Sequence, residues 1–225
     1  MNDDKKVGVI RQVLANCLSA VSVDGSFALA LANYANHQGV ASLDEEDLTV
    51  VLESVVTKAI ALASDDNDDC LDGRSVTSAL IYGFGCDQGM GNCHNAASMI
   101  LGRDVLGTPS TPREIEQLPS IATADRPVDQ SFLTALVNYS QHHGVRNLID
   151  DKRLSVLDTL ARESILGSGS IADGRSVTEA LIVRFGCSKA MGECHKAAEK
   201  ILGAAVDLDF DVDLLERTPL PPLLR

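Results

Sequence analysis

An internal repeat constrains this chain more than any other feature. Residues 72–105 and 173–206 align without a gap, and 22 of these 34 positions are identical. Further upstream, matches such as Tyr34 with Tyr139 recur at an offset of 105 residues. The repeating unit is roughly 75–80 residues long, which is much longer than one repeat of a solenoid. The repeat therefore predicts two related domains.

Apolar residues recur at three- and four-residue steps through both copies, a spacing that places them on one face of an α-helix. An extra helix at about 5–21 precedes the first copy, and alternating strand patterns are absent. The predicted fold is all-α: a tandem duplication of a four-helix unit with pseudo-twofold symmetry. The predicted helices of the two units lie at about 26–38, 43–63, 76–84 and 92–101, and at about 131–143, 148–166, 177–185 and 193–202.

Changes in composition divide the chain into four parts. The first unit, with its N-terminal helix, spans residues 1–105, and a linker with four prolines follows at 106–128. The second unit spans residues 129–206. An extended acidic and Pro-rich tail, residues 207–225, ends the chain. Its alternation of acidic and apolar residues is typical of a segment that docks on a partner or on its own protein.

The charge is strongly negative and unevenly distributed. The 225 residues are 45% hydrophobic, which excludes a disordered chain, and carry a formal net charge of −13. Residues 1–112 hold 15 acidic and 6 basic residues (net −9), residues 113–206 hold 12 and 11 (net −1), and the tail holds 5 and 2 (net −3). Because nucleic-acid binding depends first on Lys and Arg, direct binding of nucleic acid is not expected.

No secretory signal is legible, and the apolar runs are far shorter than the roughly 20 residues that cross a bilayer. A cytoplasmic location without a membrane span is therefore expected. In that compartment the six cysteines would be reduced thiols.

A repeated Cys-x6-Cys-His pattern is the first candidate for chemistry. It pairs Cys86 with Cys93 and Cys187 with Cys194. Cys93 and Cys194 fall in the first turn of a predicted helix, where the helix dipole lowers a thiol pKa. These four cysteines are candidates for thiol-disulfide exchange. The alternative is close helix packing, since free cysteine is among the most buried residue types.

The same pattern suggests a metal site. Zinc accepts Cys2His2 ligand sets, although this spacing is not a recognised zinc pattern. A c-type haem is disfavoured because its attachment motif has two residues between the cysteines. No cofactor is predicted, and zinc is the alternative. The candidate ligand sets are His37, Cys86, Cys93 and His94, and His142, Cys187, Cys194 and His195.

His37 and His142 also have a simpler interpretation. Each lies near the predicted C-terminal end of a helix, where an imidazolium complements the helix dipole. Tyr34 and Tyr139 lie three residues earlier on the same face, which permits a hydrogen-bonded Tyr–His pair.

Three groups of residues are candidates for partner binding. Asp-Gly-Arg-Ser sequences form a turn and a helix cap, and their arginines could bind a carboxylate or pair with an acid of their own unit. An acidic run and apolar residues of the tail complete the set. The candidates are Asp65, Asp66, Asp68, Asp69, Arg74, Arg175, Phe210, Leu214 and Leu215.

No phosphate-binding loop, dinucleotide-binding turn, metalloprotease motif or nucleophile elbow occurs in the sequence. The leading interpretation is a non-enzymatic adaptor that binds a basic protein surface through its acidic first unit and its tail. A thiol-disulfide redox protein is the first alternative and a zinc protein the second. Self-association is left open.

Overall fold

The computed structural model describes residues 1–17, 21–66 and 70–210. Within these ranges the chain is mostly helical, and no described helix is long and apolar enough to cross a lipid bilayer. Two strands also occur, β1 (Ser22–Val23) and β2 (Cys70–Leu71). The α-helices are α1 Asp3–Cys17, α2 Gly25–Tyr34, α3 Glu45–Asp66, α4 Gly73–Ser78, α5 His94–Leu101, α6 Arg113–Glu116, α7 Pro119–Ala122, α8 Gln130–Ser140, α9 Asp150–Gly167, α10 Gly174–Glu179 and α11 His195–Leu202.

The two short strands were not expected. β1 and β2 are parallel, with Ser22 opposite Cys70, and an isolated parallel bridge joins Val128 to Ala172 in the second unit. Each pairing immediately precedes a helix cap. Asp24, for example, follows β1, and its side chain accepts hydrogen bonds from the first turn of α2. The predicted helical class is confirmed, with these pairings added.

The helices before the Cys-x6-Cys segments begin earlier than predicted and change type. α4 begins at Gly73, and the five residues Ala79–Gly83 that follow it form a π-helix. α10 continues in the same way into a π-helix at Ala180–Arg184. π-helical turns are rare, and neither residue spacing nor composition indicates them in advance.

The segment predicted as a linker contributes to the core. Residues 106–128 contain α6 and α7. Ile115 and Leu118, from this segment, are buried and belong to the main hydrophobic cluster. This segment therefore packs against the rest of the protein while connecting the two units.

Each unit inserts a short segment against helices of the other. The 3-10 turn Gly89–Gly91 packs on α8 and α10, and the 3-10 turn Ala190–Gly192 packs on α2 and α4. At the first of these contacts a Cβ atom added to Gly174 would lie 2.7 Å from the Cα of Gly91. Two backbones therefore meet here with no room for a side chain between them.

Two buried asparagines join the units through main-chain groups. Asn33 donates from Nδ2 to the carbonyl of Met191 (2.7 Å) and accepts from the amide of His143 (2.9 Å). Asn138 makes the reciprocal pair, donating to the carbonyl of Met90 (2.7 Å) and accepting from the amide of Gln38 (2.8 Å). Both side chains thus satisfy buried or partly buried backbone groups that helices and strands leave unpaired.

We expect Asn138→Ala to lower the free energy of unfolding by about 2–5 kcal/mol, because it leaves one carbonyl and one amide without partners. Urea unfolding monitored by circular dichroism measures this loss. Asn16→Ala is the matched control, since Asn16 is exposed on α1 and its side chain donates to the Glu53 carboxylate at 3.3 Å. The control should change stability by less than about 0.5 kcal/mol. Equal effects of the two substitutions would contradict the prediction.

Candidate functional site

The four predicted redox cysteines are buried free thiols. Burial raises the pKa of Cys86 to about 11 and that of Cys187 to about 12. The pKa values of Cys93 and Cys194 are raised well above the ordinary thiol value for the same reason. The lowered pKa predicted at Cys93 and Cys194 is therefore wrong, because the loss of hydration outweighs the helix dipole.

The thiols of Cys93 and Cys194 hydrogen-bond to the main chain. Cys93 immediately precedes α5 and donates to the carbonyl of Gly89 at 3.1 Å, and Cys194 precedes α11 and donates to the carbonyl of Ala190 at 3.4 Å. The sulfur of Cys86 lies 3.9 Å from the carbonyl oxygen of Cys93. These contacts hold the thiols in their neutral form, which is the less nucleophilic one.

The two repeated histidines contact each other at the centre of the protein. The Nε2 atoms of His37 and His142 are 2.8 Å apart, and the parallel rings have centroids 5.1 Å apart. Desolvation lowers the pKa of His37 to about 3 and that of His142 well below its ordinary value. At neutral pH both rings are uncharged, and one Nε2 donates to the other. The prediction that they cap helices as cations is wrong.

The tyrosines near these histidines bond elsewhere. The hydroxyl of Tyr34 donates to the carbonyl of Cys93 at 3.4 Å, and that of Tyr139 donates to the carbonyl of Cys194 at 3.2 Å. Each tyrosine ring meets its histidine edge to face. The tyrosine hydroxyls therefore fix the starts of α5 and α11, and the Tyr–His hydrogen bond that the spacing permits is not formed.

The predicted zinc ligands do not form a ligand set. Among the described residues, no group of three or more His, Cys, Asp or Glu side chains is arranged to hold a metal ion. His94 and His195 begin α5 and α11, and their Nδ1 atoms are buried without a hydrogen-bond partner in the described part of the chain. The structure therefore places His37 in contact with His142, and it places neither histidine in a Cys2His2 site.

A narrow cleft between the units is the feature that the sequence reasoning missed. Six residues of the first unit line it, together with the six at the same repeat positions in the second. Met90 and Cys93 contribute from one side and Met191 and Cys194 from the other. The only signal in the sequence was the conservation of Met and Cys between the two copies, which also fits a shared core.

The two arginines of the Asp-Gly-Arg-Ser turns behave differently. Arg74 pairs with Asp72 of its own unit at 2.9 Å, which is the expected alternative to ligand binding. Arg175 donates from Nε to the main-chain carbonyl of Asp87 at 3.0 Å, which lies in the other unit. The expectation of an acid partner within the same unit is therefore correct for Arg74 and wrong for Arg175.

The beginning of the tail docks on the second unit. Asp209 accepts from Arg146 at 2.8 Å and from Asn147 at 2.7 Å, and its other carboxylate oxygen lies 3.0 Å from Nδ1 of His143. The ring of Phe210 packs on His143 with centroids 5.1 Å apart. Phe210, predicted as a partner-binding residue, thus contacts its own protein.

Other predicted partner-binding residues lie wholly or partly outside the described part of the chain. Asp65 and Asp66 are the last residues of α3, and only their backbone is described. Asp68, Asp69, Leu214 and Leu215 fall outside the described ranges.

Comparisons with protein-family models, curated proteins and solved structures find no match to this chain.

Proposed function

We propose that this protein is a non-enzymatic binding protein that engages a basic protein surface through its acidic first unit and its C-terminal tail. The observation that carries the proposal is the unequal charge of two units with matching cores, −9 in residues 1–112 against −1 in residues 113–206. Shared buried residues account for the fold of both units. The excess acid therefore adds nothing to the core, and it favours association with positively charged partners.

The proposal includes a tandem duplication of a four-helix unit of roughly 75–80 residues, with a pseudo-twofold axis through the His37–His142 contact. The reciprocal hydrogen bonds of Asn33 and Asn138 support it, as do the matching hydroxyl bonds of the two tyrosines. A duplicated body lets one copy diverge on its surface while both preserve the packing.

Exposed acidic side chains at the start of α3 form the centre of the proposed surface. Asp44, Glu45 and Glu46 are exposed, and none forms an ion pair with another described residue. Asp44 also accepts from the main-chain amide of Asp47 at 2.9 Å. Carboxylates without a paired cation attract a cationic partner more strongly than paired ones do, because no bonded cation offsets their field.

The tail begins close to the first unit. Arg146 bridges the two, with its guanidinium 3.2 Å from Asp3 of α1 and 2.6 Å from Asp209 of the tail. This anchoring places Phe210, which 15 further residues follow, on the part of the chain that Arg146 links to α1. A partner bound to the first unit would be within reach of the tail.

The test is affinity purification of bound proteins from the source cells, followed by titration of the purified partner. We expect Glu45→Lys with Glu46→Lys, and separately deletion of residues 211–225, to weaken binding about tenfold each, increasingly so at low salt. Asp150→Lys with Asp151→Lys makes the same charge change at the matching helix start of the second unit. This control should leave affinity within about twofold.

Equal losses in the α3 and α9 variants would indicate a general charge effect and would contradict the proposed surface. Unchanged binding after tail deletion would remove the tail from the interface. Neither result depends on the cysteines, which are unchanged in all three variants.

A further inference from the structure

Four apolar residues form a band across the surface where the two units meet. Ile81 and Ile182, which occupy the same repeat position, line the same cleft between the units. The residues that follow them, Tyr82 and Val183, are 79% and 75% exposed, and all four belong to the two π-helices. We refer to these four residues as the apolar band. Exposed apolar side chains grouped in this way mark a site of protein–protein contact.

The two ends of the apolar band carry opposite charges. The aliphatic stem of Lys58 covers Gly83, the residue after Tyr82, whereas Glu163 lines one groove together with Val183. Lys58 and Glu163 occupy the same repeat position, at the offset of 105 residues. Both are half-buried, and neither forms an ion pair with another described residue. The band therefore ends in an unpaired cation on the first unit and an unpaired anion on the second.

We propose that a second copy of this chain docks on the apolar band about a twofold axis, so that Lys58 of each copy faces Glu163 of the other. A twofold contact requires a self-complementary surface, on which the same two residues meet each other twice. The band meets this requirement, because its apolar centre comes from matching repeat positions and its ends differ in sign. The reversed orientation would place Lys58 against Lys58 and Glu163 against Glu163, and like charges disfavour it.

The other charged residues beside the band fit the same orientation. Glu53 lines a groove together with Lys58, and Glu179 and Arg184 line the groove that contains Glu163. When the first groove of one copy faces the second groove of the other, each base has an acid in the opposite copy. This arrangement favours a second copy over a partner that carries charge of one sign only.

The apolar centre must supply most of the attraction. Two copies that each carry a net charge of −13 repel one another, and tyrosine is among the residues that contribute most at the centre of interfaces. The band is also separate from the acidic surface proposed above. Lys58 lies about 20 Å along α3 from Glu45 at the rise per residue of an α-helix. Dimerisation and binding of a basic partner can therefore be tested independently.

The test is sedimentation velocity of the full-length protein from micromolar to millimolar concentration. We expect a reversible dimer with twice the 23.9 kDa mass of the chain. Tyr82→Glu should weaken dimerisation at least about tenfold, because the substitution enters the contact twice. Ile149→Glu is the matched control, since Ile149 is 67% exposed immediately before α9 and lies outside the band. It should change the dissociation constant less than about twofold.

Charge reversal tests the orientation. Lys58→Glu and Glu163→Lys should each weaken dimerisation about tenfold, because each places like charges opposite one another twice. In a mixture, the first variant offers acids at both positions and the second offers bases at both. Heterodimers of the two variants should therefore form with an affinity within about threefold of the unaltered protein. Native mass spectrometry, with one variant isotopically labelled, counts these heterodimers.

Four results would overturn the proposal. They are a protein that stays monomeric throughout the concentration range, a dimer that Tyr82→Glu does not weaken, a mixture without preferential heterodimers, and dimerisation that requires removal of residues 211–225. The last result would instead assign the apolar band to the tail of the same chain.

Discussion

Gly174→Ala is expected to destabilise the protein by about 3 kcal/mol or more, at the upper end of the range for overpacked sites. The added Cβ would lie 2.5 Å from the carbonyl oxygen of Gln88 and 2.7 Å from the Cα of Gly91. Both are backbone atoms of the other unit, so a change of side-chain rotamer cannot relieve the clash. The units would have to move apart, which also strains the hydrogen bonds of Asn33 and Asn138.

Urea unfolding measures this loss, and Gly8→Ala is its control. Gly8 is exposed in α1 and has no atom within 4 Å of an added Cβ, so alanine there should stabilise the helix by about 0.5–1 kcal/mol. Gly73→Ala should repeat the loss, because Gly73 meets Gly192 at a Cβ-to-Cα distance of 2.9 Å. A Gly174→Ala protein as stable as the unaltered one would contradict this account of the contact between the units.

The helices and their buried faces could be predicted because their signals are local. The apolar spacing predicts a helix with one buried face at about 43–63, and in α3 the regularly spaced Leu48, Val51, Leu52 and Val55 are at most 1% exposed. A helix that packs on the core through one face carries apolar residues at regular three- and four-residue steps in its sequence. The π-helices and two-residue strands have no such period, so nothing in the sequence indicated them.

The residues that form the contact between the units could not be predicted, because the contact joins residues far apart in the chain. The turn at Asp72 and Gly73 was correctly predicted to cap a helix, and Asp72 forms a capping box with Ser75. Its glycine has a second role, the close approach to Gly192, which no local rule reveals. Likewise, a repeat identifies equivalent residues in the two copies, but it does not show which of them contact each other in the folded protein.

The candidate site differs from the prediction for one physical reason, which is burial. A cysteine at a helix start and a histidine at a helix end were assigned the charges that the helix dipole favours. Cys93 and His37 are instead enclosed within the core, where desolvation favours the neutral form of both. The burial of these residues depends on how the two units pack, and that packing cannot be read from the sequence.

The neutral pair of His37 and His142 makes stability depend on pH above the range of carboxyl titration. In the unfolded chain both histidines bind protons below their ordinary pKa of about 6.5, whereas the folded protein keeps the pKa of His37 at about 3 and that of His142 well below normal. The unfolded state therefore binds more protons as the pH falls from 6.5. By linkage, the free energy of unfolding decreases in that direction.

The pair should lower the unfolding free energy by about 3 kcal/mol between pH 6.5 and pH 5. Urea unfolding at half-unit pH steps measures this slope, and carboxyl groups such as Asp24, with its lowered pKa, titrate at lower pH. His37→Gln with His142→Gln should flatten the slope whatever its effect on absolute stability. His94→Gln with His195→Gln, at half-buried positions that also match between the units, should reduce it less. A slope that is unchanged by loss of the His37–His142 pair would show that these rings are charged in the folded protein or that other groups control its acid sensitivity.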